Sequence, residues 1–423
     1  MSKYTITGGK KLNGVVFVQG AKNAALPMIS AALLPRSGQT VLHNVPLLND
    51  ISVSIDIIRA LGGSAEYYKD EQTLVVDPGG ISKSTLDSAL TTRSRASVLF
   101  LPSVFHRFGK VEFNGVGGCN LGHRSLNFHH NGFKRLGAVV EGEEDQLKIS
   151  TGKSGVKGNL VYLDTPSQTS TENLIMAACL AEGETVIENA ACEPEVGDFI
   201  SFLRKMGAKI SGETSRTLVV EGVRQLHPVE HTVMSDRLDA GPLMMAAAIT
   251  GSDIRLVGAQ LDQMRILVVK LQQMGVSIEA NGEVVRVKGV KKLKPINVVS
   301  QPYPGFSTDF LPGIMALSCV ADGRSDLREN IFLDRLTQVD GLNRLGASIV
   351  KESPTHAIVK GVKKLNGATL TAPDLRAGMA LLLGGLIAEG TTIIDNVYQI
   401  ERGHCNIPER LSALGAEVRR VTA

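Results

Sequence analysis

The sequence predicts an α/β protein of two domains, each made of three repeated units. The first observation is size, because 423 residues with 43% hydrophobic content exceed what one core usually holds. The second is a signature of an apolar residue, a glycine and a small residue, which recurs at intervals of 68 to 75 residues. Its glycines are Gly62, Gly137, Gly207, Gly275, Gly346 and Gly415. The third is that helical and β-rich patterns alternate within the intervals.

Each interval predicts helices that end at a glycine and lead into strands. An amphipathic stretch such as Asp198–Lys205 precedes the signature, and the β-rich segments Lys209-Ile210 and Thr217–Val220 follow it. Because glycine readily adopts the left-handed conformation that closes a helix, we expect the signature glycines at helix C-termini. Two further helix-like runs end at Gly183 and Gly390, each before a β-rich segment. The repeating unit therefore alternates β and α elements.

A pattern near the N-terminus predicts that the start of the chain belongs with its second half. Ile6–Gly8 begins with an apolar residue, a polar residue and glycine, as do Val220–Gly222, Val287–Gly289 and Val359–Gly361. We therefore expect a first domain of residues 22–233 and a second domain of residues 1–21 and 234–423. The linker is expected near Leu226–Met234, where a proline interrupts the pattern.

Composition excludes several classes of partner. The net charge is only +3, from 45 basic and 42 acidic residues, so no overall field favours nucleic acid or a membrane surface. Five cysteines without a C-x-x-C pair indicate a reducing cytoplasm. The N-terminus lacks a basic region followed by an apolar run, so we expect a soluble, unsecreted protein. The segment His227–His231 has a misplaced glutamate and a proline, so we expect no metal site there.

A glycine-rich stretch predicts a reactive cysteine. Gly115, Gly117 and Gly118 precede Cys119, and Gly122 follows it, so this segment is expected to be a mobile loop. A histidine and Arg124 come next, and nearby positive charge lowers the pKa of a thiol. The alternative is that the cysteine is a small packed apolar residue.

Cationic groups recur where turns lead into helices. Lys22 and Asn23 precede an apolar run predicted as a helix over 24–34, and Arg95 opens another predicted over 96–104. Backbone N–H groups and the helix dipole favour an anion at such positions.

Acidic residues in the second half stand beside arginines. Asp309 ends a turn-rich run and serves either as a helix N-cap or as a general base. Asp334-Arg335, Asp374–Arg376 and Glu401-Arg402 are acid–arginine pairs at element edges. Surface ion pairing explains each one alone. Together with the cations of the first half, they fit a small substrate that carries phosphate and carboxylate groups.

These motifs identify a family resemblance that covers essentially the whole chain. The matching segments are Gly20–Pro27, Arg95–Ser97, Gly117–Arg124, Pro304–Asp309, Asp374–Ala377 and Ala388–Thr391. In order and spacing they resemble the UDP-N-acetylglucosamine 1-carboxyvinyltransferases, the enolpyruvyl transferases of peptidoglycan synthesis. The resemblance implies the enolpyruvyl transferase fold: two inside-out α/β domains, each with three units around buried helices. It also implies an active site in the cleft between the domains.

The resemblance implies the reaction as well. Enolpyruvate passes from phosphoenolpyruvate to the 3-hydroxyl of UDP-N-acetylglucosamine, phosphate leaves, and no cofactor or metal takes part. Cys119 is implied as the general acid and the target of the epoxide fosfomycin, Asp309 as the base, and Lys22 and Arg402 as further catalytic groups. The implied substrate-binding residues are Lys22, Asn23, Arg95, Arg124, Ser125, Leu126, Asn127, Phe128, His129, Ser167, Gln168, Thr169, Asp309, Ile331, Arg335, Asp374, Arg376 and Arg402. The expected protein is cytoplasmic, a monomer or weak homo-oligomer, without nucleic-acid or membrane partners, and serves cell-wall formation, cell shape and division.

Three departures from the family pattern surround the nucleotide side. Asn127 stands where an aspartate is usual, Leu333 where a glutamate is common, and Ser307 where a proline is frequent. Three alternatives therefore stay open: the shikimate-pathway relative that makes 5-enolpyruvylshikimate-3-phosphate, a paralogue that acts on another uridine nucleotide, and a catalytically silent UDP-sugar-binding homologue. The shikimate relative lacks an equivalent of the Gly-Gly-Cys loop.

Overall fold

The structure is a computed structural model that describes residues 2–115, 117, 126–142, 146–153, 155–213 and 215–422. The strands within these residues are β1 (Ser2–Thr7), β2 (Asn13–Phe17), β3 (Thr40–His43), β4 (Ser64–Tyr68), β5 (Thr73–Asp77), β6 (Thr85–Leu86), β7 (Lys110–Asn114), β8 (Ala138–Glu141), β9 (Gln146–Thr151), β10 (Leu160–Tyr162), β11 (Glu184–Glu188), β12 (Lys209–Ser211), β13 (Thr217–Glu221), β14 (Glu230–Thr232), β15 (Asp253–Val257), β16 (Ser277–Asn281), β17 (Val284–Lys288), β18 (Asn297–Val299), β19 (Arg324–Arg328), β20 (Ser348–Ser353), β21 (His356–Lys360), β22 (Thr369–Thr371), β23 (Thr391–Asp395) and β24 (Glu417–Thr422).

The helices alternate with these strands. They are α1 (Lys22–Ala31), α2 (Asn49–Leu61), α3 (Ser88–Thr91), α4 (Phe100–Phe108), α5 (Asn127–Arg135), α6 (Gln168–Cys179), α7 (Pro194–Lys205), α8 (Arg237–Thr250), α9 (Arg265–Gln273), α10 (Leu311–Ser318), α11 (Gln338–Arg344), α12 (Leu375–Gly385), α13 (Tyr398–Glu401) and α14 (Ile407–Ala413). Two 3-10 helices, Arg95–Leu99 and Leu261–Met264, precede α4 and α9.

The chain forms two compact units. The first unit holds the described residues between 20 and 234, and the second holds residues 2–19 and 235–422. The backbone N–H of Ala21 donates to the carbonyl of Met234 at 2.8 Å. Gly20, Ala21 and Met234 therefore group with the first unit, one or two residues beyond the boundaries expected from the sequence.

The described strands form six four-stranded sheets with one topology, three in each unit. In every sheet an edge strand pairs in parallel with the second strand, and the other two strands are antiparallel; β10-β11-β13-β12 is one example. The other sheets are β14-β3-β5-β4, β6-β7-β9-β8, β2-β15-β17-β16, β18-β19-β21-β20 and β22-β23-β1-β24. The predicted sixfold repeat is confirmed as a β-α-β-α-β-β unit.

The signature glycines close helices as predicted. Gly62 has φ +103°, its N–H donates to the carbonyl of Arg59, and the N–H of Gly63 donates to Ile58. All six signature glycines have φ between +88° and +103°, a region that side chains with a Cβ rarely occupy. A strand begins within three residues of each glycine.

The N-terminal strand completes a sheet of the second unit. β1 lies between β23 and β24 and is antiparallel to both, the position that β13, β17 and β21 hold in their sheets. A Cβ on Gly8, which follows β1, would collide with the backbone carbonyl of Ala388. Gly222, Gly289 and Gly361 meet backbone carbonyls in the same way, so close approach of two chain segments explains the repeated glycine.

Apolar helices form the centre of each unit. In the first unit α1, α4 and α6 pack against one another, and in the second unit α8, α10 and α12 do so. All three helices of the second unit are buried at nearly every position. The strands instead alternate buried and exposed residues, which is the pattern of a sheet covering a core on one face. The inside-out arrangement is thus confirmed.

Three element boundaries differ from those predicted. The helix expected over 24–34 begins at Lys22 and ends at Ala31. The backbone N–H groups of Leu33 and Leu34 donate to carbonyls three residues earlier, so the chain tightens into a 3-10 turn before Pro35. The helix expected over 96–104 starts as the 3-10 turn Arg95–Leu99, capped by Ser94. The expected linker contains β14, which pairs in parallel with β3 and completes a sheet of the first unit.

Candidate functional site

The second unit places Asp309 between two arginines. Arg335 Nη2 lies 2.7 Å from Asp309 Oδ1, and Arg376 Nε donates to the same oxygen. The Arg335 side chain is only 1% exposed, whereas the other two are about one-fifth exposed. We call these three residues the Asp309 cluster. Helix α10 begins at Leu311 without a side-chain cap, so the carboxylate of Asp309 forms ion pairs and does not cap the helix.

The cluster keeps Asp309 ionised. Burial alone would raise the pKa of this carboxyl group, but Arg376, Arg335 and the more distant Arg237 lower it well below its ordinary value. Burial conversely lowers the pKa of Arg335, and Arg376 adds repulsion. The cluster therefore concentrates positive charge around one carboxylate.

Glu329 joins the two segments that carry Asp309 and Arg335. It is 1% exposed, and its Oε1 accepts hydrogen bonds from the Ser300 hydroxyl and from the backbone N–H groups of Ile331 and Phe332. Its Oε2 accepts from the Thr308 hydroxyl at 2.6 Å. One buried carboxylate thus fixes both the turn before Asp309 and the loop that leads to Arg335.

Asp374 has a structural position at the start of α12. Its carboxylate caps the helix by accepting from the N–H groups of Arg376 and Ala377, and it also accepts from the Thr337 hydroxyl. This cap orients the first turn of α12, from which Arg376 reaches Asp309. Asp374 is itself buried, so its contacts in this structure are those of a helix cap.

Arg402 lies directly after the short helix α13 and is 9% exposed. The next residue, Gly403, packs on Leu375 so closely that a Cβ there would lie 2.6 Å from a Leu375 methyl carbon. Ile400 likewise packs on Gly378 of α12. The segment that carries Arg402 therefore rests on the same first turns of α12 that carry Arg376.

In the first unit, Lys22 forms an ion pair at the start of a helix. Its Nζ lies 3.0 Å from Asp50 Oδ2, and both side chains are largely buried. Lys22 and the half-buried Asn23 occupy the first turn of α1. Asp50 lies in the first turn of α2, where a carboxylate is favoured by the helix dipole.

His129 connects two helices of the first unit through neutral hydrogen bonds. Asn173 Nδ2 donates to its Nδ1 at 2.9 Å, and its Nε2 faces the Ser170 hydroxyl at 3.4 Å. Burial, with a contribution from Arg95, lowers the pKa of His129 to about 3. The imidazole is neutral at pH 7 and its two nitrogens are occupied, so its side chain joins α5 to α6.

The remaining nucleotide-side candidates lie at the starts of α5 and α6. Leu126 is buried, Asn127 is exposed and Phe128 is half-buried at the start of α5. Ser167 caps α6 through the N–H of Ser170, and Gln168 and Thr169 form its first turn. Gln168 also donates to Glu172, a buried carboxyl group whose pKa burial raises well above its ordinary value. The N-terminus of α6 therefore offers backbone N–H groups at the positive end of the helix dipole.

Three sequence candidates, Cys119, Arg124 and Ser125, lie outside the described residues. Their roles stay predictions. Among the described part of the chain, no set of three or more His, Cys, Asp or Glu side chains is arranged to bind a metal ion. Within the same residues, no helix combines the length and apolar character needed to span a bilayer.

Two buried residues of the site were not predicted from the sequence. Glu329 follows the end of β19, and Arg237 begins α8 after its cap Asp236. Arg237 lies over the Tyr303 ring at 5.5 Å and acts electrostatically on Asp309. Their signal in the sequence was a charged residue at the edge of an apolar element, the same signal that identified Arg335 and Arg376.

Comparison with known proteins identifies relatives that match nearly the whole chain. The sequence profile of the family "EPSP synthase (3-phosphoshikimate 1-carboxyvinyltransferase)" matches residues 6–411. A UDP-N-acetylglucosamine 1-carboxyvinyltransferase of Thermobifida fusca (strain YX) is 48% identical over 423 residues, covering 99% of this chain and 98% of its own. The protein of the same name from Trichlorobacter lovleyi is 43% identical with full coverage of both chains.

Solved structures show the same fold. The enolpyruvyl transferase NikO from Streptomyces tendae superposes with a TM-score of 0.88 at 24% identity, covering 100% of this chain and 99% of its own. EPSP synthase from Acinetobacter baumannii gives a TM-score of 0.77 at 19% identity with full coverage of both chains. The predicted fold is confirmed.

Fold and sequence together define the class as the carboxyvinyl transferases, also called enolpyruvyl transferases. Within that class the chain belongs to the UDP-N-acetylglucosamine 1-carboxyvinyltransferase family, as its full-length matches show. The resemblance drawn from the motifs, and the assignment to transferase enzymes, are therefore confirmed.

Proposed function

We propose that this enzyme transfers the enolpyruvyl group of phosphoenolpyruvate to the 3-hydroxyl of UDP-N-acetylglucosamine, with release of phosphate. This is the first committed step of peptidoglycan precursor synthesis. The observation that carries the proposal is the match to relatives of that name, at 48% identity over 99% of the chain. The charges of the Asp309 cluster fit a substrate with phosphate and carboxylate groups.

In the proposed addition step, the sugar hydroxyl oxygen bonds to C2 of phosphoenolpyruvate and its proton passes to the Asp309 carboxylate. Cys119 donates a proton to the methylene carbon, which becomes a methyl group in a tetrahedral intermediate. In the elimination step, phosphate leaves C2 and takes up the proton held by Asp309, while the methyl group returns a proton to the Cys119 thiolate, which restores the double bond and both catalytic groups. The two steps together transfer the group without a net change in oxidation state.

The arginines around Asp309 give a reason why the base becomes effective only with substrate. They lower the pKa of Asp309, which keeps it ionised but makes it a weak base. Arg335 and Arg376 are also proposed ligands of the phosphate and carboxylate groups, together with Lys22, Arg124 and Arg402. When these anions bind, they neutralise part of the positive charge, so the pKa of Asp309 rises toward the range that a general base needs.

Nucleotide recognition is assigned to the first unit. The N-terminus of α6, with Ser167, Gln168 and Thr169, fits a diphosphate because its N–H groups and dipole favour negative charge. Asn127 is exposed at the start of α5, where its amide could accept from the uracil imide. The remaining proposed ligands are Asn23, Arg95, Ser125, Leu126, Phe128 and His129 on the nucleotide side, and Ile331 and Asp374 of the second unit.

The proposal assigns residues of both units to a single reaction. A cytoplasmic location agrees with the free cysteines among the described residues, Cys179, Cys192, Cys319 and Cys405. We propose a monomer or weak homo-oligomer, which sedimentation velocity would test.

A steady-state assay of phosphate release tests the function. We expect turnover with UDP-N-acetylglucosamine and phosphoenolpyruvate, and none when shikimate 3-phosphate replaces the sugar nucleotide. Turnover with UMP or another uridine nucleotide in place of UDP-N-acetylglucosamine would favour the paralogue. Tight binding of UDP-N-acetylglucosamine without phosphate release would favour a silent homologue.

A further inference from the structure

Gln19 holds the segment that carries Arg402 with both ends of its side-chain amide. Its Nε2 donates to the carbonyl of Gly403 at 2.9 Å, and its Oε1 accepts from the N–H of Cys405 at 2.9 Å. Gln19 is only 7% exposed. A glutamine amide has one donor end and one acceptor end, and here the two ends bracket the loop of residues 402–405, which we call the Arg402 loop.

The backbone of Gln19 is fixed as well. Its N–H donates to Asp239 Oδ2 at 3.2 Å, and its carbonyl accepts from the N–H of Asp236 at 2.8 Å. The side chain therefore projects from a backbone that is held on both sides. Gln19 is also the last residue of the second unit before the chain enters the first.

Asp239 anchors this arrangement from helix α8. It is fully buried and accepts from Arg410 through both carboxylate oxygens, at 2.8 and 2.7 Å. His404 Nδ1 of the Arg402 loop lies 3.2 Å from Asp239 Oδ1. Burial would raise the pKa of Asp239, but His404 and Arg410 lower it to about 2. The Asp239–Arg410 ion pair thus contacts the loop through the His404 side chain, while Gln19 holds the loop backbone.

We propose that Gln19 is a positioning residue that sets the Arg402 guanidinium for the phosphoenolpyruvate step. The inference rests on the proposed function, in which Arg402 binds phosphoenolpyruvate. Gln19 forms hydrogen bonds with the first and third residues after Arg402, Gly403 and Cys405. Gly403 in turn packs on Leu375, one residue before Arg376. Without the hydrogen bonds from Gln19, the loop backbone is free to shift, and Arg402 is no longer held beside the first turn of α12.

The test replaces the amide with an apolar group of similar length, Gln19→Met. Because two neutral hydrogen bonds are lost, we expect the KM for phosphoenolpyruvate to rise about tenfold, with the KM for UDP-N-acetylglucosamine nearly unchanged. Gln272→Met is the matched control, since Gln272 is exposed on α9 of the same unit. Gln19→Glu keeps the acceptor for Cys405 but places an unpaired carboxylate oxygen against the Gly403 carbonyl, so its effect should be at least as large as that of Gln19→Met. If Gln19→Met does not fold, the phosphoenolpyruvate KM of Gln19→Glu tests the positioning role instead.

A double-mutant cycle separates positioning from general stability. If Gln19 acts through Arg402, then adding Gln19→Met to Arg402→Ala should leave the phosphoenolpyruvate KM of the single Arg402→Ala variant unchanged. Equal increases in both KM values, or additive effects in the cycle, would overturn the inference. An unchanged phosphoenolpyruvate KM in Gln19→Met would overturn the role of Gln19 but would leave the proposed function intact. No phosphate release by the unsubstituted protein would overturn the proposed function as well.

Discussion

The two units hold their charges in different ways. In the second unit, Asp309 contacts Arg335 and Arg376 directly, and Glu329 fixes the surrounding backbone. In the first unit, Lys22 pairs with Asp50, and the candidate region also contains a neutral histidine, a buried glutamic acid whose pKa is raised, and the N-terminus of α6. Paired charges suit a step in which charge develops, because they are already oriented. Neutral hydrogen-bonding groups suit recognition of a sugar nucleotide. The comparison teaches that one repeated fold supports two kinds of site.

Changes at Cys119 should have the largest effect on turnover. They test whether the first unit contributes a catalytic group in addition to binding the nucleotide. We expect fosfomycin to alkylate Cys119, faster with UDP-N-acetylglucosamine present, and Cys119→Ala to lose most turnover at neutral pH. Cys119→Asp should keep some activity and resist the epoxide. Mass spectrometry of the treated protein identifies the modified residue.

The other cysteines are internal controls for that experiment. Burial raises the pKa of the Cys179 and Cys319 thiols to about 12, so they should stay unlabelled in the native protein. If Cys119 is inert to the epoxide and tolerant of alanine while the enzyme is fully active, the proposed general acid is wrong.

Glu329 gives an intermediate effect and tests whether the second unit depends on a buried positioning carboxylate. Glu329→Ala would leave the N–H groups of Ile331 and Phe332 without their acceptor. We expect kcat to fall at least tenfold, since each buried unsatisfied donor costs about 1–3 kcal/mol. Glu329→Gln keeps one acceptor oxygen and should fall less.

Steady-state kinetics with thermal unfolding on the same samples separates activity from stability. Glu352→Gln, an exposed acid on β20 of the same sheet, is the control and should change neither. A Glu329→Ala variant with normal kcat would show that the Asp309 turn and the Arg335 loop hold their positions unaided.

His129 gives the smallest effect and tests the neutral character of the first unit. Its pKa is about 3 in the folded state, against an ordinary value of 6.5. The unfolded chain therefore binds a proton that the folded chain does not, so stability is fully present above pH 6.5 and is lost as pH falls toward 3. His129→Gln should reduce this loss, while His106, whose pKa burial lowers to about 4, retains part of it.

Urea unfolding at pH 7 and at about pH 4.5 measures the difference. The exposed His227 supplies the control His227→Gln, which should keep the acid sensitivity of the unsubstituted protein. The same pH dependence in His129→Gln and in the unsubstituted protein would contradict a buried neutral imidazole.

Local patterns predicted most of the fold because they report local constraints. The signature glycines marked helix ends since only a residue without a Cβ fits their φ values easily. Ile6–Gly8 placed β1 correctly because its glycine meets a backbone carbonyl, as its three counterparts do. β14 was missed because three residues at a sheet edge carry almost no periodic signal.

The site was predicted less completely. Asp309 lies 26 positions from Arg335 and 67 positions from Arg376 in the sequence. The family resemblance, rather than any local pattern, predicted that the three residues share one site. Gln19 acts through hydrogen bonds to the distant backbone groups of Gly403 and Cys405. Glu329 acts through the hydroxyl groups of Ser300 and Thr308, and no spacing rule reveals these partners. His129 stays a predicted ligand, and the sequence did not reveal that its side-chain nitrogens contact Asn173 and Ser170.

The most direct test of the division between the units is calorimetric binding of UDP-N-acetylglucosamine to Asp309→Asn and Arg95→Ala, beside their turnover. Asp309→Asn should bind the sugar nucleotide about as tightly as the unsubstituted enzyme while its kcat falls by about 10²–10⁴. Arg95→Ala should weaken that binding by about tenfold or more. Asp334→Asn, an exposed acid next to Arg335, should alter neither quantity. Loss of nucleotide binding in Asp309→Asn, with normal binding in Arg95→Ala, would contradict the assignment of the base to the second unit and of nucleotide recognition to the first.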